Sequence, residues 1–210
     1  SGPDGFVDQG AKVLVLVNEE KASRIVSRNY CAATTLSIKE VFDERNNRYV
    51  QERVGAGSQW RNNFNIVDAT GWDIDRMEAA IKNIKPDIVV SDMADKFTMG
   101  GRYSAAHEAL KALYIRFRII GKQYGCAIFG MSQMSAEAEG RVMVNSSMLE
   151  GSKTGKAAEA DLLFCLTMNP MVEGAQDDNE RHWVIVKNKL TGRHGMVHTM
   201  LDPNTATFSV

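Results

Sequence analysis

The sequence predicts an α/β domain, a mostly parallel sheet flanked by helices with an antiparallel extension at its C-terminal end. Three observations point there. Short apolar runs at Lys12 to Val17 (KVLVLV), Ile88 to Val90 and Cys126 to Met131 (CAIFGM) show no alternation and read as strands buried on both faces. Segments with apolar residues at helical spacing separate these runs. From Leu162 onward four runs follow one another across turns, and the last three are close enough to be antiparallel. At 210 residues the chain is long enough for one such domain with a real core and too short for two comfortable ones.

Taken in order, Ser1 to Gly10 (SGPDGFVDQG) reads as an irregular edge or a tag remnant, because Gly-Pro and Asp-Gly are turn dipeptides and nothing periodic precedes the first strand. Residues 11–210 are expected to form the single domain. The Lys12–Val17 strand ends in Asn18-Glu19-Glu20. Lys21 to Val54 has a helical pattern, with Ile25, Val26 and Tyr30 on one stripe and Ile38, Val41 and Phe42 on the next, and Gly55-Ala56-Gly57-Ser58 breaks it. Asn65-Ile66-Val67 makes a short strand, and Asp73 caps a helix carrying Ile74, Met77, Ile81 and Ile84. Pro86 breaks the chain before the strand that ends in Asp92.

Asp95 to Tyr103, which contains Gly100-Gly101, reads as a loop. Ser104 then opens the longest helix, with Leu110, Leu113, Phe117, Ile120 and Tyr124 on one face and Gly125 placed to stop it. The Cys126–Met131 strand ends in Ser132-Gln133, and a polar stretch runs from Ser135 to Glu159. Strands are predicted at Leu162 to Thr167, His182 to Lys187, Met196 to Leu201 and Thr205 to Val210.

Composition narrows the classes of function. Lys+Arg 25 against Asp+Glu 26 gives a formal charge of −1, so no global basic field marks a nucleic-acid protein, although a local patch can still bind one. Cys31, Cys126 and Cys165 form no C-x-x-C pair, which fits a reducing cytoplasm. No apolar run approaches the roughly 18 residues that span a bilayer, and no charged-then-apolar leader opens the chain, so no membrane partner is expected. The four histidines show no metal-ligand spacing with the cysteines, the eleven methionines are scattered, and Trp60, Trp72 and Trp183 are better explained by packing than by base stacking.

The chemistry lies at strand ends. In open α/β sheets ligands bind beyond the carboxyl ends of the strands. Glu19, Asp92 and Gln133 each follow a predicted core strand. Asp92 is a candidate Walker B aspartate, holding Mg²⁺ through water; Glu19 can polarise an attacking water, and Gln133 can sense a terminal phosphate. The same pattern at Asp92 also fits a capping or turn Asp after a core strand.

In order, the chain carries VLVLVNEE, IVVSD, a helix ending KQYG, CAIFGMSQ, EADLLFCL and VKNKLTGRHG. This order resembles the C-terminal RecA-like motor of DnaB-type ring helicases, phage primase-helicases especially, over almost the whole chain after about Gln9. The resemblance implies a P-loop NTPase fold that hydrolyses ATP or another NTP with Mg²⁺ at the subunit interfaces of a ring, expected to be a hexamer, and translocates on single-stranded DNA. It makes Glu19 the catalytic base, Asp92 the Mg²⁺ aspartate, Gln133 the phosphate sensor, and Lys187 and Lys189 the fingers that enter a neighbouring subunit's site. The loops holding Lys96 and Arg102, and Arg141, Lys153 and Lys156, match the two segments that face the DNA channel.

The departures are specific. No G-x-x-x-x-G-K-[ST] lies upstream of the first strand. Gly151 to Ala157 (GSKTGKA) imitates one, but with three residues between its glycines, Ala after Lys and no strand before it. Lys189 stands where the family usually has an arginine, a point charge in place of a planar fork. The expectation is therefore a motor that lacks its first strand, P-loop and helix, either cut before that unit or encoded as one half of a broken gene and paired with a separate P-loop fragment. A non-catalytic RecA-fold nucleic-acid-binding or ring-assembly protein is the alternative, and a RecA-like recombinase or clock-type ATPase the third.

Overall fold

The computed structural model describes residues 7, 9–151, 153–168 and 179–210, and the side chain of Lys153 is outside that set. Most of the predicted irregular edge, Ser1 to Gly10, therefore lies outside the described residues. The chain divides into two compact units, one formed by Ser1–Gly100, Ile119–Met131 and Asn204–Thr207, the other by Gly101–Arg118, Ser132–Pro203 and Phe208–Val210.

The first unit is built on a parallel sheet in the order β2-β1-β3-β4, comprising β1 (Val13–Val17), β2 (Phe64–Asp68), β3 (Ile88–Asp92) and β4 (Ala127–Gly130). β1 lies between β2 and β3, and no residue of it is more than 7% exposed, which is why its run shows no alternation. The segment read as helical from Lys21 to Val54 is three helices, α1 (Ala22–Thr34), α2 (Ile38–Val41) and α3 (Asn47–Val54). Thr35 turns left-handed after α1, and the Ser37–Glu40 capping box starts α2.

A helix not anticipated, α4 (Gln59–Asn63), follows the glycine breaker with Ser58 as its cap. It buries Trp60 against Tyr30 and Phe64, with ring centroids 5.6 and 4.7 Å apart. α5 (Ile74–Ile84) starts at Asp73, whose side chain accepts from the Arg76 N–H as its sequence predicts, and it buries Ile74, Met77 and Ile81. β4 is an edge strand without a charged residue, and its Phe129 is 44% exposed.

The second unit holds an antiparallel sheet in the order β5-β6-β7-β8, from β5 (Leu162–Thr167), β6 (Glu180–Asn188), β7 (Gly195–Asp202) and β8 (Thr207–Ser209). β5 pairs antiparallel with β6, so the extension is a four-stranded sheet of its own and begins one strand earlier than the turn spacing suggests. One face packs Cys165 and Val184 on Val144 and Met148, with Met134 and Met196 beside them. On β5 alternate residues Leu162, Phe164 and Leu166 stay exposed. The longest helix, α6 (Ala106–Tyr124), contributes to both units and starts two residues after Ser104. Its predicted face is buried at Leu113, Phe117 and Ile120. A seven-residue helix, α7 (Lys153–Glu159), closes the polar stretch.

Candidate functional site

In the first unit the parallel register sets Val17 of β1 beside Asp92 of β3, so both strands deliver their next residues to one sheet edge. Asn18 locks that edge. Its N–H donates to the Asp92 carbonyl at 2.9 Å. Its side-chain Nδ2 donates to the Met93 carbonyl at 3.0 Å, while its Oδ1 accepts from the Met93 N–H at 2.6 Å. Asn18 is 9% exposed, so these bonds form away from bulk water. Nothing in the sequence reading singled it out; the only signal was a polar residue directly after a buried strand.

Glu19 and Glu20 follow. Glu19 Oε1 accepts from Lys96 Nζ at 3.1 Å, an ion pair between half-exposed groups. Lys96, expected on a DNA-facing loop, comes from a 3-10 turn at Ala94–Lys96 directly after β3. Glu20 accepts from both terminal nitrogens of Arg28, at 2.7 and 3.2 Å. Burial pushes the Asp92 carboxyl above the usual carboxylate range, the charges of Glu19 and Glu20 push further, and Arg28 and Lys96 oppose them. Carboxylates are the oxygen donors a hard divalent cation prefers, and Asp92, half-buried and crowded by like charge, is the one here whose charge such a cation would relieve.

The remaining predicted residues belong to the second unit. Gln133 is exposed, and its backbone carbonyl accepts from the Glu150 N–H at 3.2 Å. Arg102 and Arg141 are exposed. The Lys153 side chain lies outside the described residues. Lys156 departs from its expectation. It is 3% exposed, donates to Ser132 Oγ at 2.8 Å and sits 5.7 Å from the Tyr114 ring centroid, so its charge is spent inside the fold.

Lys187 and Lys189 close the C-terminal end of α7. Lys187 Nζ donates to the Ala157 carbonyl, and Lys189 Nζ donates to the Ala158 carbonyl at 3.3 Å and lies 3.5 Å from Asp161 Oδ1. Arg118 joins them, 2.7 Å from Asp161 Oδ1. Cations gather there because the last carbonyls of a helix lack partners and carry its negative end. Burial lowers the Lys187 amine below the usual lysine range, and the nearby Lys189 charge lowers it further. The imitation P-loop, Gly151 to Ala157, is only partly within the described residues. A 3-10 turn at Ser146–Met148, not a strand, precedes Gly151 and α7.

Comparison with known proteins agrees with this architecture. The AAA domain family matches residues 2–139. A solved structure described as an ATPase domain superposes with a TM-score of 0.81 at 16% identity, covering 96% of this chain and 75% of that one. A DnaB-like replicative helicase, solved to show its interactions with primase, superposes with a TM-score of 0.78 at 15% identity, covering 97% of this chain and 51% of that one. No curated protein matches the sequence. The fold is that of these ATPase and helicase structures, as the motif order implied.

Proposed function

Because the chain belongs to the AAA domain family, we propose that it is the motor part of a replicative DNA helicase, coupling NTP hydrolysis at the interfaces of a ring to movement along single-stranded DNA. The observation that supports this most is the β1–β3 edge, where Asn18 fixes the Asp92–Met93 peptide and Glu19, Glu20 and Asp92 gather. Asp92 would hold Mg²⁺. When bound, that ion neutralises charge on the transferring phosphoryl group. Glu19 takes the proton of the attacking water as general base. Its pairing with Lys96 is half-exposed and worth about 0–1 kcal/mol, so an arriving substrate can displace it at little cost.

Gln133 acts as the phosphate sensor in this reading, and Arg102, Arg141, Lys153 and Lys96 hold DNA phosphates. Lys187 and Lys189 serve as fingers in a neighbouring subunit once they leave the α7 carbonyls that hold them here. Lys156, buried on Ser132, supports the turn before Gln133 rather than touching DNA directly. These 210 residues carry no Walker A motif, so no triphosphate-binding step is assigned to them. The cradle comes from a P-loop-bearing segment outside these residues. The edge of β4, uncharged and without a further strand among the described residues, is a surface of the kind such a segment can cover.

The test is steady-state ATP hydrolysis with Mg²⁺ and single-stranded DNA, by the chain alone and mixed with a separately made P-loop fragment. Turnover in the mixture only, abolished by Glu19→Gln with nucleotide binding spared, is the expected result. Intact DNA binding without turnover in either arm overturns it in favour of a non-catalytic nucleic-acid-binding protein.

A further inference from the structure

Antiparallel pairing of β6 and β7 sets His182 directly opposite His198, and Glu180 lies two residues before His182 on the same face of β6. The two Nδ1 atoms are 3.1 Å apart, and His198 Nδ1 is 3.4 Å from Glu180 Oε1. One ligand atom from each of the three residues lies within 4.8 Å of the others. We propose that Glu180, His182 and His198 form a binding site for a transition-metal cation of the zinc class.

The distances have the size this requires. Ligands held about 2.0–2.1 Å from zinc at tetrahedral angles are about 3.3–3.4 Å from each other, close to both measured separations. The ring planes stand at 89° to each other, so the two imidazoles do not stack face to face. Two imidazole nitrogens and one carboxylate suit zinc and its neighbours in the first transition row, and leave a fourth position for water. Mg²⁺ takes oxygen ligands, so the chemistry separates this site from the carboxylates around Asp92.

Burial is graded as an entry path needs. His182 is 3% exposed and fixes one ligand in the sheet, while the His198 and Glu180 side chains are 61% and 41% exposed. An ion arriving from solvent meets two movable ligands before the fixed one. His182 lies six residues before the end of β6 at Asn188, where the Asn188–Gly192 turn begins. The cation therefore ties the two strands together in the half of their ladder away from that turn, and binding free energy adds to the stability of the second unit. The cysteines are not needed, since all three are buried and none joins this group among the described residues.

The experiment titrates chelator-treated protein with Zn²⁺ by calorimetry and with Co²⁺ by visible absorption, with Mg²⁺ as the contrast. One Zn²⁺ per chain, a Co²⁺ d–d spectrum without thiolate charge transfer, and a melting temperature that rises with Zn²⁺ are expected. His198→Ala and Glu180→Gln, both at exposed positions, should each weaken Zn²⁺ by roughly tenfold or more, since losing a ligand costs at least as much as losing its outer partner. His194→Ala should bind as the parent does, and circular dichroism checks that each variant is folded. No saturable Zn²⁺ binding, or binding unchanged in both ligand variants, overturns the proposal.

Discussion

Asn18→Ala is the sharpest test of how the carboxylate edge is held. The substitution removes a side chain that donates to the Met93 carbonyl at 3.0 Å and accepts from the Met93 N–H at 2.6 Å, and leaves the main-chain bond from Asn18 to Asp92. Met93 is 9% exposed, so its N–H loses its partner in a place water reaches poorly, whereas its carbonyl keeps the bond it accepts from the Lys96 N–H at 3.3 Å. An unsatisfied buried backbone group costs about 1–3 kcal/mol, so the variant should lose about that much, with the low end set by any water entering the vacated space. Urea unfolding followed by Trp60 and Trp72 in a Trp183→Phe background confines the signal to the first unit, where both tryptophans are buried. A loss below about 0.5 kcal/mol, the scatter of an ordinary surface substitution, would refute the claim that this amide organises the site.

Asp92→Asn bears on electrostatics. Burial and the Glu19 and Glu20 charges raise the Asp92 carboxyl from its ordinary value of 3.8, so its contribution is fully present below that value and is lost as pH rises through the folded one. Thermal melts should therefore show the variant gaining on the parent as pH climbs out of the acid range towards neutrality, and Mg²⁺ should raise the parent's melting temperature more than the variant's; a difference that does not change with pH would contradict the crowding. Lys189→Ala should impair hydrolysis only in assembled rings, and an effect of equal size in isolated monomers would sink the finger assignment. Phe129→Lys, at a position 44% exposed on the β4 edge, should weaken co-purification with a P-loop fragment while changing urea stability by no more than about 0.5 kcal/mol; undiminished co-purification would remove that edge from the contact.

Elements whose signals are local were legible from the residues alone. Unbroken apolar runs marked β1, β3 and β4, Asp73 marked the start of α5, and the position of Asp92 after its run placed it at a strand end. These follow from repeats of two or 3.6 residues and from caps within one turn of chain, all visible without knowing what packs where. The segment from Lys21 to Val54 was legible as helical but not as three helices, because the left-handed Thr35 between α1 and α2 has no strong local signature.

Tertiary structure decided the partners. Asn18 and Met93 are 75 positions apart, and only the pairing of β1 with β3 makes their amide bonds possible. Lys156 looked like a loop charge and is buried, because its stem and amine are covered by Tyr114 and Ser132 from distant parts of the chain. Lys187 and Lys189 were legible as paired cations, but their docking on α7 depends on where β6 carries them. His182 and His198 looked unrelated until antiparallel register placed them face to face. A residue's type and local spacing limit the chemistry it can do, whereas its neighbours across the fold fix burial, charge and distance, and these decide which chemistry it does.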